Sequence, residues 1–408
     1  MTTYHEAADS AFSRIIYLTG NQNAIYLPPN NGFWQQGNAL STCIDYLVRS
    51  KTPDNQNIVK NALDFVFDNY RMNALDNPQQ WIQEGRYDTG SWLDDYGWWG
   101  IALQQAYQFS NQLGYDNSFC NRLLHVSQNC WIALQGGWDP SPVTPGPGIT
   151  GGAWNHQTPD FALSGRNCIT NEALWLLSQY FRQSVPGDPK YVDQNKASYG
   201  WFSGALSVNA LFDQDGLVRE RLVGMEYYDP SFVWTGDQGM FIAACRGNQS
   251  AGGGDAEPLA RQIAQSVSMH LIDNNGVLHD RNLPSVYVTD FSKDYATGKG
   301  VLLRCLSAWC DSPNPPSDLR QLILNNAQAV WNNRLFKDEP PDPNDPTKQY
   351  QFGFNWNPKG NPPPPNGNGE PDFPNNDSSL FSQLILQVAG MSALNAALIF
   401  AADEPIPD

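Results

Sequence analysis

Apolar residues recur at intervals of three and four along most of the chain, which is the spacing of amphipathic helices. The period-two alternation typical of half-buried strands is scarce. The pattern predicts twelve helices, joined by alternately short and long connections, at about 6–19, 33–50, 56–71, 93–112, 117–135, 168–184, 191–212, 234–246, 256–272, 298–311, 317–334 and 379–402. The last of these is mostly apolar, so we expect it near the centre of the core.

The number of helices predicts the fold class. Twelve helices with no fixed repeat period favour six helical hairpins closed into an (α/α)6 barrel, because an open solenoid would have a recurrent period and capping repeats. The chain is therefore predicted to be all-α, with a single domain over residues 1–408 and a site at the mouth of the barrel. Two Pro/Gly-rich stretches, 137–153 and about 336–377, cannot be helical and are predicted to be rim loops.

Charge and aromatic content restrict the class of partner. The 408 residues include 41 acidic and 24 basic ones, for a net charge of −17, and no run of Lys and Arg is present. This balance excludes nucleic acid and disfavours an anionic membrane surface. The 14 Trp, 17 Tyr and 19 Phe provide rings on which neutral sugars can stack. Composition therefore favours a neutral polysaccharide or oligosaccharide.

Other signals exclude several kinds of site. The five His residues do not cluster, and neither Cys-x-x-Cys nor His-Glu-x-x-His occurs, so no metal and no cofactor is predicted. The seven Cys are interpreted as buried free thiols. No apolar run of 18 residues indicates a membrane span, and the N-terminus lacks the features of a signal peptide.

An acidic pair followed by a tryptophan pair is the most informative motif, in the run Asp94-Asp95-Tyr-Gly-Trp98-Trp99. Consecutive Cα atoms lie about 3.8 Å apart, so carboxyl groups on neighbouring helical residues can lie roughly 5–6 Å apart. A retaining glycosidase needs about 5–5.5 Å between its two carboxyl groups. Capping of the helix N-terminus is the alternative, and spacing alone does not decide between the two.

A second group of polar and aromatic residues follows in the chain. It comprises Trp154, Asn155, Asn167 and Asn171. Asn167 and Asn171 are four residues apart and share one helix face, and their amides can bind sugar hydroxyls as donor and acceptor. Capping by Asn167 and a surface position for Asn171 remain the alternatives.

In this order the motifs resemble glycoside hydrolase family 76, the endo-α-1,6-mannanases and related fungal cell-wall transglycosidases. The resemblance runs along most of the chain. It rests on five elements: Asp94-Asp95-x-x-Trp98-Trp99, Gly151-Gly-x-Trp154-Asn155, Asn167-x-Ile-Thr-Asn171-Glu, Thr235-Gly-Asp237-Gln238-Gly and Lys299-Gly-Val-Leu-Leu-Arg304. Three positions depart from the family pattern: Leu93 replaces an aromatic residue, Arg166 replaces Lys, and Gly236-Asp237 replaces Tyr-Asn.

The resemblance implies an (α/α)6 barrel with Asp94 as nucleophile and Asp95 as general acid/base. It further implies substrate contacts from the residues of the matching motifs: Tyr96, Trp98, Trp99, Trp154, Asn155, Asn167, Asn171, Asp237 and Gln238. Helix capping remains the alternative for Asp237. For Lys299 and Arg304 a structural ion pair is favoured over a substrate role.

The predicted function is therefore a retaining, endo-acting hydrolase of α-1,6-linked mannan, secreted or in the cell envelope and expected to be a monomer. Three alternatives remain open. A sugar acceptor instead of water would make the protein a transglycosidase. Another barrel enzyme, an epimerase or a uronate lyase, would need a His pair or a basic cleft. A non-catalytic carbohydrate-binding relative would be free to lose Asp94 or Asp95, and both are present.

Overall fold

The structure is a computed structural model of the whole chain. The residues described are 2–18, 33–50, 56–68, 92–142, 149–157, 165–222, 233–248, 255–281, 292–312, 314–334, 352, 356 and 380–407.

Twelve α-helices lie in the described ranges, and they alternate between an outer and an inner layer. The outer helices are α1 (Tyr4–Leu18), α3 (Gln56–Asp68), α5 (Asn117–Gly136), α7 (Pro189–Ser207), α9 (Glu257–His270) and α11 (Leu319–Asn332). The inner helices are α2 (Phe33–Ser50), α4 (Leu93–Gln108), α6 (Cys168–Ser184), α8 (Thr235–Asn248), α10 (Ser292–Cys310) and α12 (Leu380–Ala401).

The inner helices form a closed ring. Each packs against the next in the order α2, α4, α6, α8, α10 and α12, and α12 packs back against α2. Outer helices cover the ring from outside, each against the inner helix that precedes it, with α1 on α12. The predicted (α/α)6 barrel is confirmed. Since all inner helices run in one direction, their N-termini meet at one end of the barrel.

Neighbouring inner helices approach closely because glycine lies at their crossings. A Cβ on Gly300 of α10 would lie 2.7 Å from Cα of Ala389 in α12, and one on Gly239 of α8 would lie 2.7 Å from Cα of Leu302 in α10. Real Cβ atoms do not approach backbone that closely, so only glycine permits these crossings. The small ring that results holds the inner N-termini together.

The most apolar helix, α12, lies inside this core as expected. Its segment Gln383–Ala401 is long and apolar enough to cross a membrane by composition, but it is almost wholly buried between α1, α2, α10 and α11. It is therefore a core helix of the barrel. All seven cysteines, which lie in described residues, are free thiols, four of them buried.

Two helices differ from the prediction at one end. The helix predicted to run to residue 212 ends at Ser207, because Asn209 adopts a left-handed conformation with φ 55°. Helix α10 begins at Ser292, six residues before the predicted start.

The two predicted rim segments are described only in part. The first contains the two described arms of a hairpin, 138–142 and 149–153, with antiparallel bridges from Trp138 to Ala153 and from Pro142 to Thr150. Of the second segment, only Phe352 and Trp356 are described, and both are buried against the barrel. The other residues of 336–377 lie outside the described residues.

Replacing Gly300 with Ala tests the helix crossing. The added methyl group would meet the α12 backbone, so we expect the free energy of unfolding to fall by about 1–3 kcal/mol. Gly200→Ala in outer helix α7 is the matched control, because nothing lies within 4 Å of its Cβ position. There the higher helix propensity of Ala should raise stability by roughly 0.5–1 kcal/mol. Urea unfolding of both variants measures the difference, and equal effects would contradict the packing argument.

Candidate active site

The first turns of three inner helices meet at the end of the barrel where the sequence motifs lie. Helix α4 contributes Asp94 and Asp95, α8 contributes Asp237, and α2 contributes Trp34. Asp94 is close enough to Asp237 to raise the pKa of Asp237. The motif residues, far apart in sequence, therefore share one end of the barrel.

The acidic pair lies in the first turn of α4 without being its cap. The N-cap residue is Trp92, whose side chain makes no capping hydrogen bond. The N–H of Leu93 donates to the backbone oxygen of Asn155 at 2.7 Å, and the N–H of Asp95 donates to Oδ1 of Asp94 at 3.1 Å. Both carboxyl groups are partly exposed. The positive end of the helix dipole stabilises negative charge at this position.

Three tryptophan rings form a cluster one turn from the acidic pair. Ring centroids of Trp34 and Trp98 lie 5.1 Å apart, those of Trp98 and Trp234 6.1 Å, and those of Trp34 and Trp234 6.2 Å. Trp98 follows Asp94 by four residues and therefore lies on the same helix face. Trp34 is the partly exposed member, while the other two are nearly buried.

Tyr96 and Trp99 lie in the core instead. The indole N–H of Trp99 donates to the backbone oxygen of Phe33 at 2.8 Å, which ties α4 to α2. Tyr96 is fully buried against the ring of Phe33, and burial raises the pKa of its hydroxyl. These two residues hold the acidic helix in place; contact of either one with substrate stays a prediction.

Arg166 links the two described arms of this hairpin, 138–142 and 149–153. Its guanidinium donates to the backbone oxygens of Ser141 and Gly151, both at 2.8 Å, and to the carboxylate of Asp139. The N–H of Ser141 is the main reason that the pKa of Asp139 falls to about 2, with a further contribution from Arg166. Trp154, partly exposed, has its ring 5.0 Å from the same guanidinium. Arginine suits this position because a lysine could not bind three acceptors in one plane.

The two glycines that close this hairpin have positive φ, 87° at Gly151 and 111° at Gly152. Other residues rarely adopt these angles, which explains the Gly-Gly pair of the second motif.

Two amide side chains clamp the extended segments around the mouth. Oδ1 of Asn171 accepts from the N–H of Ala153 at 2.8 Å, and its Nδ2 donates to the oxygen of Ala153 at 3.1 Å. Gln238 binds Val218 in the same way: its Oε1 accepts from the N–H of Val218, and its Nε2 donates to the oxygen of Val218, both at 2.8 Å. Both amides are fully buried. Their hydrogen bonds give them a scaffolding role, and direct sugar contact by either one stays a prediction.

Asn155 and Asn167 are also buried and hydrogen-bonded within the protein. Oδ1 of Asn155 accepts from the N–H of Gly165 at 2.7 Å. Asn167 is the N-cap of α6, accepting from the N–H of Thr170 at 3.3 Å, and its Nδ2 donates to Oε1 of Glu220 at 3.1 Å. The alternative of helix capping is therefore the observed arrangement for Asn167.

Two similar hairpins each deliver an acidic side chain to the mouth. Asp213 and Asp273 begin Asp-x-x-Gly turns, and in each case Oδ1 accepts from two backbone N–H groups of the turn. Seven residues later stand Glu220 and Asp280, respectively. Glu220 reaches the start of α6, whereas Asp280 reaches the start of α8 through the hydroxyl of Thr235.

Three carboxyl groups lie together beneath the acidic pair. Glu172 and Asp237 are fully buried, and Glu220, partly exposed, interacts electrostatically with both. No donor in the described residues reaches either carboxyl oxygen of Glu172 or of Asp237. Burial first, and then the neighbouring carboxyl groups, raise the pKa of both residues well above its ordinary value.

The last motif supplies structural cations, as expected. Nζ of Lys299 lies 3.3 Å from Oδ2 of Asp280, and both side chains are nearly buried. Arg304 donates to Thr42 at 2.9 Å and to Asn38 at 2.8 Å, which joins α10 to α2. Burial lowers the pKa of Lys299, while Asp280 opposes this shift.

Sequence reasoning did not single out four residues of this site. They are Trp34, Glu172, Glu220 and Trp234. The available signal for Glu220 was the repeated Asp-x-x-Gly turn with an acidic residue at the same later position. Among the described residues, no group of three or more His, Cys, Asp or Glu side chains is arranged to hold a metal ion.

The sequence model of glycosyl hydrolase family 76 matches residues 3–392. The chain belongs to this family. No protein with a curated description matches the sequence.

Solved structures share the fold over the whole chain at low sequence identity. The GH76A alpha-1,6-mannanase from Salegentibacter sp. HEL1_6 is 19% identical, with a TM-score of 0.67, covering 97% of this chain and 99% of its own. The GH76 alpha-mannanase BT2949 from Bacteroides thetaiotaomicron is 15% identical, with a TM-score of 0.60 and coverage of 97% and 96%. The unsaturated glucuronyl hydrolase from Bacillus sp. GL1 is 14% identical, with a TM-score of 0.52 and coverage of 95% of each chain.

Replacing Gln238 with Ala tests its clamping role. The change leaves the N–H and oxygen of Val218 buried without partners, so the free energy of unfolding should fall by roughly 2–4 kcal/mol. Gln214→Ala, on the exposed turn of the same hairpin, should change it by less than about 0.5 kcal/mol. Urea unfolding provides the comparison. A loss no larger than that of Gln214→Ala would contradict the assigned role.

Proposed function

We propose that this family 76 glycoside hydrolase cleaves α-1,6-linked mannan within the chain, with retention of configuration, using Asp94 and Asp95. The observation that carries the proposal is the position of this pair. It lies partly exposed in the first turn of α4, one turn before Trp98, whose ring packs on the partly exposed Trp34, and the neighbouring acids Glu172 and Asp237 are fully buried.

Exposure separates the reactive carboxyl groups from the structural ones. Asp94 and Asp95 are partly exposed, so a substrate can approach them. Glu172 and Asp237 are fully buried, and Asp280 is paired with Lys299. Among the acids near the start of α4, the pair therefore best meets the requirements of a nucleophile and an acid/base.

In the first step, the carboxylate of Asp94 attacks C1 of the sugar while Asp95 protonates the departing glycosidic oxygen. The C1–O bond breaks, the leaving sugar gains a hydroxyl group, and an ester forms between C1 and Asp94. In the second step, Asp95 takes a proton from water, whose oxygen attacks C1 and releases Asp94. The assignment of these two roles follows the family resemblance.

A neutral mannan suits the surroundings of the pair. The tryptophan cluster provides apolar ring faces, and the protein's net charge of −17 repels anionic polymers but not neutral ones. One protein of similar structure, from Salegentibacter sp. HEL1_6, is an alpha-1,6-mannanase, which agrees with this substrate class. We also propose that the enzyme works outside the cell or in its envelope, where such polymers occur.

Asp94→Asn and Asp95→Asn test the proposal. Each removes a carboxylate needed in the transition state, so turnover of linear α-1,6-mannan should fall by about 10³-fold or more. Asp193→Asn, on exposed outer helix α7, should keep wild-type turnover. β-Mannan and α-glucan should not be cleaved by any variant, and early products should be long oligosaccharides. Wild-type turnover in either active-site variant would refute the mechanism.

The two variants should differ from each other on an activated aryl mannoside. Such a leaving group does not need protonation, so Asp95→Asn should still release the aryl group, whereas Asp94→Asn should not. NMR of the first wild-type products should find the α anomer. If only Asp94→Asn released the aryl group, the roles of nucleophile and acid/base would be reversed. First products with the β configuration would exclude a retaining mechanism.

A further inference from the structure

Asp237 has the surroundings of a neutral group. Its side chain is fully buried, and no donor in the described residues reaches either of its carboxyl oxygens. Its carboxyl group instead contacts that of Glu220. If both groups were ionised, Asp237 would carry an unpaired negative charge in the core, at high cost. A proton shared between the two groups would remove this cost.

The surroundings of the two groups indicate which one carries the proton. Glu220 accepts a hydrogen bond from Nδ2 of Asn167 at 3.1 Å, and it lies near the positive charge of Arg221. Both interactions favour the charged form of Glu220. Asp237 has neither, so it is the better site for the proton and can donate it in a hydrogen bond to Glu220.

Among the described residues, the groups on other helices that act most strongly on Asp237 are acidic. Helix α4 supplies Asp94, and α6 supplies Glu172 and the thiol of Cys168. The buried cation of α10, Lys299, is paired with Asp280. Burial and these carboxyl groups raise the pKa of Asp237 well above its ordinary value of 3.8.

We propose that Asp237 is a protonated carboxylic acid in the folded protein, and that it positions the start of α8 against Glu220 without adding charge beside Asp94. The family resemblance has Asn in the place of Asp237, and a neutral acid keeps the donor that an amide would supply. This inference goes beyond the proposed function, because it holds whether or not Asp94 is the nucleophile. Asp237 is a positioning residue.

The sign of the pH effect follows from proton linkage. The unfolded chain loses the Asp237 proton at its ordinary pKa, whereas the folded protein keeps it to higher pH. Between the two values unfolding releases this proton, so stability falls as pH rises, by about tenfold in the unfolding equilibrium constant per pH unit. The dependence ends where the folded protein also loses the proton.

Proton release on unfolding at about pH 7 tests the proposal, with Asp237→Asn as the variant. Wild type should release about one proton more than Asp237→Asn, because Asn has no proton to lose. Asp139→Asn is the matched control: Asp139 has a lowered pKa and an arginine partner, so it is ionised in both states and the release should equal that of wild type. Equal release by wild type and Asp237→Asn would overturn the proposal.

Infrared spectra and stability of the native variants give a second measurement. The carbonyl band of protonated carboxyl groups should be weaker in Asp237→Asn than in wild type and unchanged in Asp139→Asn. The stability of Asp237→Asn relative to wild type should increase between about pH 5 and about pH 9, whereas Asp237→Ala, which lacks a donor, should be less stable than Asp237→Asn at pH 5. If the carbonyl band of Asp237→Asn were as strong as that of wild type, Asp237 would not be protonated. Equal destabilisation by Asp237→Asn and Asp237→Ala at pH 5 would show that Asp237 does not act as a donor.

Discussion

The close approach of neighbouring inner helices is the constraint on which the rest of the structure depends. Glycines at the crossings, such as Gly239 and Gly300, let α8, α10 and α12 pack backbone against backbone. The narrow ring brings the N-termini of the inner helices to one end, where each contributes partial positive charge. An acid-rich mouth is electrostatically favourable only at that end of the barrel, and the motif carboxyl groups are found there.

The acids at this end are divided by their access to solvent and to donors. Asp94 and Asp95 are partly exposed, so both can carry charge and meet a substrate. Asp280 forms an ion pair with Lys299. Glu172 and Asp237 are fully buried, and no donor in the described residues reaches their carboxyl oxygens, which favours their neutral forms. Differences in burial therefore let some carboxyl groups at this end be charged and accessible to substrate, while others stay neutral and structural.

Helices and catalytic candidates were predictable because their signals are local. Periodicity located the twelve helices of the described ranges, and the acidic pair stands beside its tryptophans in one run of sequence. The amides were harder to interpret. Asn167 and Asn171 do share a helix face, but spacing does not say whether that face meets substrate or protein. In the structure both amides are hydrogen-bonded within the protein. Trp34 and Trp234 were not predicted, because they join Trp98 only when the ring closes.

Covalent trapping tests most directly the claim that the exposed end of α4 carries the nucleophile. A fluorinated, activated mannoside forms the sugar–enzyme ester quickly and hydrolyses slowly, so the ester accumulates and survives proteolysis. Mass spectrometry of the peptides should find one added fluoromannosyl group on Asp94. An adduct on another residue, or turnover with no adduct at any time, would contradict the account.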